Sequence, residues 1–255
     1  AILARAFRSV KFFVHVSITE DTTAGRWRLV TGNNLQLISI AENIRDLLLP
    51  RQSILLYDLY QFGKVQERRL HAPAGKYRVA VIGRITPTKG LVELGRLVQF
   101  LDSRHPDHPY EFHLFGDIPF QLKEDAEIRR LKASRSVVFE GFVQDKSAIY
   151  ENADIVLHLA KAEPLGRIFL EAIDALKPFA GFNAAGIGEI GRLTGLTDQL
   201  CLPAEDDSLN LYARLEEIRM NYALECERMR SAREKAMAVF SPEHYTAVMD
   251  QMLVP

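Results

Sequence analysis

The sequence predicts a doubly wound α/β protein built on a parallel sheet, and three observations carry that prediction. From about Tyr77 onward, short β-branched and aromatic runs alternate with segments of helical period. The order strand, helix, strand repeats many times, as parallel strands joined by crossover helices require. The chain has 255 residues, 47% hydrophobic and 25% charged, enough apolar material for one large core or two modest ones.

The elements follow in order. VKFFVHVSI (10–18), LQLISI (35–40) and SILLYDL (53–59) read as strands and AENIRDLLL (41–49) as a helix, which is only part of an α/β layer. HAPAGK (71–76), with its Pro and Gly, reads as a linker. This divides the chain into an abbreviated N-terminal α/β region (1–75), a main Rossmann-like domain (76–240) and a C-terminal helix (241–255), which is expected to pack back toward the N-terminal region. In the main domain, YRVAVIG (77–83) is a buried-strand run, and GLVELGRLVQFLDS (90–103) repeats Leu91, Leu94, Leu97 and Leu101 on one helical face. EFHLFG (111–116), SVVFEG (136–141) and DIVLHLA (154–160) continue the strands, with helices at 121–134, 145–153 and 166–177 between and after them. PFAGFN (178–183) and QLCLP (199–203) supply two more strands. The stretch from Asp207 to Phe240 is helical, and Ser241-Pro242 signals a further helix start.

Composition excludes several classes. Thirty-two Lys and Arg against 33 Asp and Glu give a net charge of −1, so no global field holds the chain on nucleic acid or an anionic membrane. Cys201 and Cys226 have neither metal-ligand spacing nor a disulfide framework, and read as packing residues in a reducing compartment. No apolar run approaches the roughly 18 residues of a membrane span, and no signal-peptide cleavage pattern follows the N-terminus. The expected location is cytoplasmic. The first residue is Ala rather than Met, which reads as a processed or excised chain. His105 and His108 flank Pro-Asp in a loop without metal-site spacing, Arg129-Arg130 reads as a solvated face, and no Gly-x-Ser-x-Gly elbow occurs. Gly186, Gly188 and Gly191 form a Gly-x-Gly-x-x-Gly after a strand, which raises an NAD-dependent oxidoreductase as an alternative. Only eight residues separate Gly191 from Leu200, and Gly195 interrupts them. A parallel crossover needs roughly ten to twelve.

In an open α/β sheet, ligands sit at the carboxyl ends of the strands. The residues with binding chemistry fall there. RITPTKG after the 77–83 strand places Arg84 and Lys89 in a loop that opens a helix, and KAEPLGR after DIVLHLA places Glu163 before a helix that starts at Gly166. A helix N-terminus offers unpaired N–H groups and partial positive charge, and glycine lets a phosphate approach that backbone. Gly166 and Arg167 suit a diphosphate, with Arg84 and Lys89 as cations from the facing loop. Glu171 lies five residues into the helix, about 7.5 Å beyond Gly166, where a ribose would lie beside its phosphates. Glu163, on the other side, would meet a sugar. One acid for each sugar of a nucleotide-sugar is the pattern these residues suggest.

This constellation resembles the donor-binding domain of retaining glycosyltransferases of the GT-B fold, the family 4 group. The family's Gly-Arg followed by Lys-Gly appears as Gly83-Arg84 and Lys89-Gly90, and its Glu, seven residues, Glu-Ala as Glu163 to Glu171-Ala172. Its later Gly-Gly-x-x-Glu turn is represented by Ala185-Gly186 and Glu189. VVFEGFVQDKSAIYENADIVLHLA also looks like the family's run into the motif, which would put Gly141, Phe142 and Val143 near the base. LQLISIAENIRDLLL resembles the end of the family's N-terminal domain, so the likeness spans most of residues 36 to 255.

The resemblance implies a metal-independent, retaining hexosyl transfer from a nucleoside diphosphate sugar, with no further cofactor. Glu163, Arg84 and Lys89 would be catalytic. Gly83, Phe142, Val143, Leu165, Gly166, Arg167 and Glu171 would bind the donor. The acceptor, whether glycan, lipid or protein, is left open, as is contact with a membrane surface or a second subunit. The family's Glu-Gly-Phe-Gly-Leu is Glu163-Pro164-Leu165-Gly166-Arg167 here: Pro164 removes an N–H and Arg167 adds a cation. The short N-terminal region motivates the alternative of a non-catalytic or partner-dependent scaffold of the same fold.

Overall fold

The computed structural model of the protein describes residues 12–17, 34–49, 52–63, 72–204 and 206–253. Two parallel sheets organise them. The N-terminal sheet holds β1 (Phe12–Val16), β2 (Leu35–Ser39) and β3 (Ser53–Leu55) in that order, with helix α1 (Glu42–Leu47) between β2 and β3. The larger sheet has β4 (Tyr77–Ile82) at its centre. On one side lie β5 (Tyr110–Phe115) and then β6 (Val137–Gly141), and on the other β7 (Ile155–His158) and then β8 (Phe179–Gly181). The chain winds outward through β5 and β6, then returns to the opposite side of β4. That reversal between β4 and β7 is the switch point at which an α/β sheet opens a ligand crevice.

The sequence explains these elements. β7 is buried on both faces, as an apolar parallel strand covered by helices requires. Helix α2 (Leu91–Arg104) buries Leu91, Leu94, Leu97, Val98 and Leu101 against one face of the sheet. Each such leucine contributes about 1.5–3 kcal/mol by leaving water. Helices α3 (Ala126–Ala133) and α4 (Lys146–Asn152) flank β6, and α5 (Arg167–Asp174) buries Phe169, Leu170, Ala172 and Ile173 on the opposite face. Helices α6 (Ala185–Thr194), α7 (Ser208–Met220), α8 (Tyr222–Phe240) and α9 (Pro242–Leu253) complete the chain. Among the described residues, no helix is long and apolar enough to cross a membrane.

Four sequence expectations are corrected, and the dinucleotide-type alternative is set aside. The helix at 121–134 is a 3-10 turn over Phe120–Leu122 followed by α3, because the Asp125 side chain accepts the Glu127 N–H at 2.8 Å and starts a new helix. In place of a strand, QLCLP leaves a 3-10 turn, Thr197–Gln199, and makes a single parallel bridge from Cys201 to Phe182. Leu200 N–H is turned back onto Thr197 O at 3.1 Å, and Pro203 has no N–H to extend a ladder. The helical stretch up to Phe240 breaks at Asn221, which ends α7 and precedes α8. Gly186, Gly188 and Gly191 all lie inside α6, so no dinucleotide-type strand-to-helix turn is formed there. The strand expected over 53–59 is confined to β3.

The two sheets share a core. Ile44 and Leu48 join Phe169, Ile187 and Ile190 in one cluster. Polar contacts reinforce it. The Glu189 carboxylate, buried on α6, accepts the Glu42 N–H at 2.9 Å on each oxygen and the Tyr57 hydroxyl at 2.6 Å. It therefore satisfies the first turn of α1, whose N-terminus has no side-chain cap of its own. Farther on, Asp174 accepts Gly63 N–H at 2.9 Å and Arg233 Nε at 2.8 Å, and Tyr60 N–H donates to Phe240 O at 2.7 Å. The Tyr245 hydroxyl lies 3.1 Å from His15 Nε2, so α9 touches β1. Glu189→Gln keeps one acceptor and loses the charge, so unfolding free energy should fall by about 1–3 kcal/mol. A lower denaturant midpoint at constant slope is the expected reading, and an unmoved midpoint would remove Glu189 from the list of inter-sheet supports.

Candidate active site

The loops leaving β4, β6 and β7 converge on a cavity of about 540 Å³ at the switch point. Gly83, Arg84 and Lys89 enter from the β4 loop, Phe142 and Val143 from the β6 loop, and Glu163, Leu165, Gly166, Arg167 and Glu171 from the β7 loop and α5. All ten candidate residues line the same space. Ser17, Ile40 and Asp58 face it from the N-terminal region.

The β7 loop owes its path to Gly166, which caps α5 with φ 75 and ψ 46, a left-handed conformation that glycine adopts without strain. A Cβ there would lie 2.5 Å from Ile187 Cδ1 and 3.2 Å from Ile187 N. Gly186 N–H, at the start of α6, donates to Glu163 O at 2.9 Å. The loop is thus clamped from behind.

Glu163 is held by two donors. Lys89 Nζ bonds its Oε1, and His158 Nε2 lies 3.2 Å from the same oxygen. Burial opposes ionisation of this carboxyl, yet the His158 hydrogen bond and the Lys89 ammonium outweigh it and hold its pKa down to about 2. Glu163 is therefore a carboxylate, an acceptor only. Its side chain is 13% exposed, which leaves an edge open to the cavity.

Glu171 is held in a parallel way. Its Oε1 accepts Lys146 Nζ at 2.6 Å and its Oε2 accepts the Tyr150 hydroxyl at 2.6 Å. Burial first, then the Glu171 charge, pushes the Tyr150 phenol well above its ordinary pKa, so it donates at all ordinary pH. Arg84 and Arg167 are exposed and make no hydrogen bond or ion pair with a described residue. Two cations paired to acids and two left over face one cavity.

Sequence reasoning missed His158, Lys146 and Tyr150. The seven histidines looked scattered, although a histidine ending an apolar strand at the ligand edge was a usable signal. For Lys146 and Tyr150 the local signal was only an amphipathic helix. Among the described residues no group of three or more His, Cys, Asp or Glu has metal-site geometry.

Fold and cavity define a class: two-sheet parallel α/β proteins whose ligand cleft opens where the strand order reverses. The chain belongs to the family Glycosyl transferases group 1, whose family profile matches residues 64–235. No curated protein matches it. Among solved structures, HepE of Anabaena in complex with UDP and glucose is 18% identical, with a TM-score of 0.74 over 99% of this chain and 74% of its own. A glycosyltransferase from Rickettsia africae is 17% identical, with a TM-score of 0.74 over 98% and 72%. A TarM variant from S. aureus, in complex with UDP, alpha-GlcNAc-glycerol and fondaparinux, is 16% identical, with a TM-score of 0.74 over 95% and 50%. At these identities the likeness establishes the GT-B fold.

Proposed function

We propose that the protein transfers a hexosyl group, with retention of configuration and without a metal, from a nucleoside diphosphate sugar to an acceptor. The carrying observation is the convergence of ten residues from three strand-exit loops and α5 on one cavity, with Lys89 and Glu163 in direct contact. Neighbours solved with UDP favour a uridine nucleotide as the first donor to test.

Breaking the donor's glycosidic C–O bond leaves its electron pair on the diphosphate. Arg84, Lys89 and the N-terminus of α5 stabilise that charge in a partly dry cleft. Glu171 accepts the ribose hydroxyls. Glu163 accepts hydroxyls of the transferred sugar and fixes its anomeric carbon against the leaving oxygen. Phe142 and Val143 border the base, and the described residues before position 64 form the acceptor side, with Asp58 and Ser17 facing the sugar.

Calorimetry with UDP, GDP and ADP set against NAD tests this reading. One nucleoside diphosphate should bind in preference to NAD. Arg84→Ala should weaken that binding by about 1.5–3 kcal/mol, because a charge-assisted pair is lost. Equal affinity in wild type and variant would take Arg84 out of the phosphate site, and preference for NAD would overturn the proposal.

A further inference from the structure

Glu163 and Glu171 are supported by the same device. Each carboxylate is gripped by one buried ring and one lysine: Glu163 by His158 at the end of β7 and Lys89 from the β4 loop, Glu171 by Tyr150 and Lys146, both on α4. Both rings are buried, at 5% and 7% exposure, and so cannot yield. The two lysines differ from them in being long and partly solvated, 32% and 57% exposed.

We infer that Lys146 and Tyr150 are positioning residues that set the Glu171 carboxylate for a vicinal diol, a role resting on the nucleotide-sugar reading above. A carboxylate offers about four lone-pair sites on its two oxygens. Lys146 occupies one on Oε1 and Tyr150 one on Oε2, so each oxygen keeps one acceptor site. Two neighbouring hydroxyls need one acceptor apiece. A carboxylate with two donors on one oxygen would present a single free oxygen, which is the arrangement at Glu163. The Glu171 arrangement therefore selects a cis-diol, and the Glu163 arrangement a single hydroxyl or a chelating pair on one oxygen.

The placement of Lys146 supports this. It opens α4, whose N-cap Asp145 accepts the Ser147 N–H at 2.9 Å and so fixes the backbone under the lysine. It also lies between the main cavity and a second one of about 280 Å³, lined by Tyr60 and Asp174, and its bond to Glu171 forms part of the wall between them. Without that bond the carboxylate is free to turn about its terminal torsion toward the second space.

The test uses calorimetry of the full chain with UDP and with 2′,3′-dideoxyuridine diphosphate, which keeps the phosphates and lacks the diol. Lys146→Met should weaken UDP about tenfold and leave the dideoxy compound unchanged. Lys146→Arg should restore UDP affinity to within about threefold. In a Glu171→Gln background, Lys146→Met should have no further effect. Equal losses for both ligands would assign Lys146 to the phosphates, and no loss for either would make it a surface ion pair; both overturn the inference. Wild type that binds none of UDP, GDP and ADP would instead bring down the nucleotide reading itself. Tyr150→Phe, judged at a matched thermal midpoint, should show the same restriction to the ligand with the diol.

Discussion

Glu163→Gln should lower kcat for sugar transfer about 10- to 100-fold while leaving the affinity for free nucleoside diphosphate no weaker than in wild type. The substitution keeps the shape of the side chain and removes its charge. A hydrogen bond to an ionised acceptor is worth about 1.5–3 kcal/mol, and about 1.4 kcal/mol is a factor of ten in rate. That loss falls on the sugar being transferred, since Lys89 and His158 both hold Oε1 of Glu163 and leave Oε2 to the cavity. Lys89, released from its acid, keeps its charge for the diphosphate. Loss of kcat with steady nucleotide affinity marks an interaction made with the reacting sugar. If nucleotide affinity falls as much as turnover in a folded variant, the division between Glu163 and Glu171 is wrong. The pH dependence has a definite sign. The carboxyl is lowered from 4.5 to about 2, so its pairing stabilises the fold fully above about 4.5 and is lost as pH falls toward 2. An acid limb in activity between pH 5 and 7 must come from another group.

Gly90→Ala should lower the unfolding free energy by about 3 kcal/mol or more, a large stability effect for a single methyl group. Gly90 sits between the 3-10 turn Pro87–Lys89 and α2 with φ 86 and ψ 25. A left-handed alanine costs about 1–2 kcal/mol by itself. The added Cβ would also lie 2.4 Å from Leu159 Cβ, 2.6 Å from Leu159 C and 2.7 Å from Leu159 O. Those are backbone and near-backbone atoms, so no side-chain rotation relieves the contact, and overpacking adds about 1–3 kcal/mol. A drop in Tm on the order of 10 °C is expected for a chain of this size. The strain has a functional reading as well. It pushes apart Lys89 and the residues after β7, the two groups that meet at Glu163. Weakened nucleotide binding below the new Tm should accompany the lost stability. An unchanged Tm would mean that the β4 and β7 loops pack more loosely than the close approach implies.

Much of the fold was legible because its signals are local. The apolar run of β4 and the leucine spacing of α2 are periodicities within a dozen residues, and the structure keeps both. The elements read wrongly are those where a short contact outside the period decided the outcome. Asp125 capped a new helix inside a helical-looking stretch, and Leu200 N–H turned back onto Thr197 rather than onto a neighbouring strand. Glu189 was legible as a motif acid, yet its partners in the structure are Glu42 and Tyr57, 147 and 132 positions away.

By itself the sequence determined which residue types stand at which strand exits, because backbone period and helix-start chemistry are written within a few positions of each other. Tertiary structure alone decided which side chains meet. Lys89 reaches Glu163 across 74 positions and Lys146 reaches Glu171 across 25. The first pairing exists because the strand order returns past β4 after β6, laying β7 beside it. Sheet order follows from how whole faces pack and where crossovers fit, and no short stretch of chain contains that information.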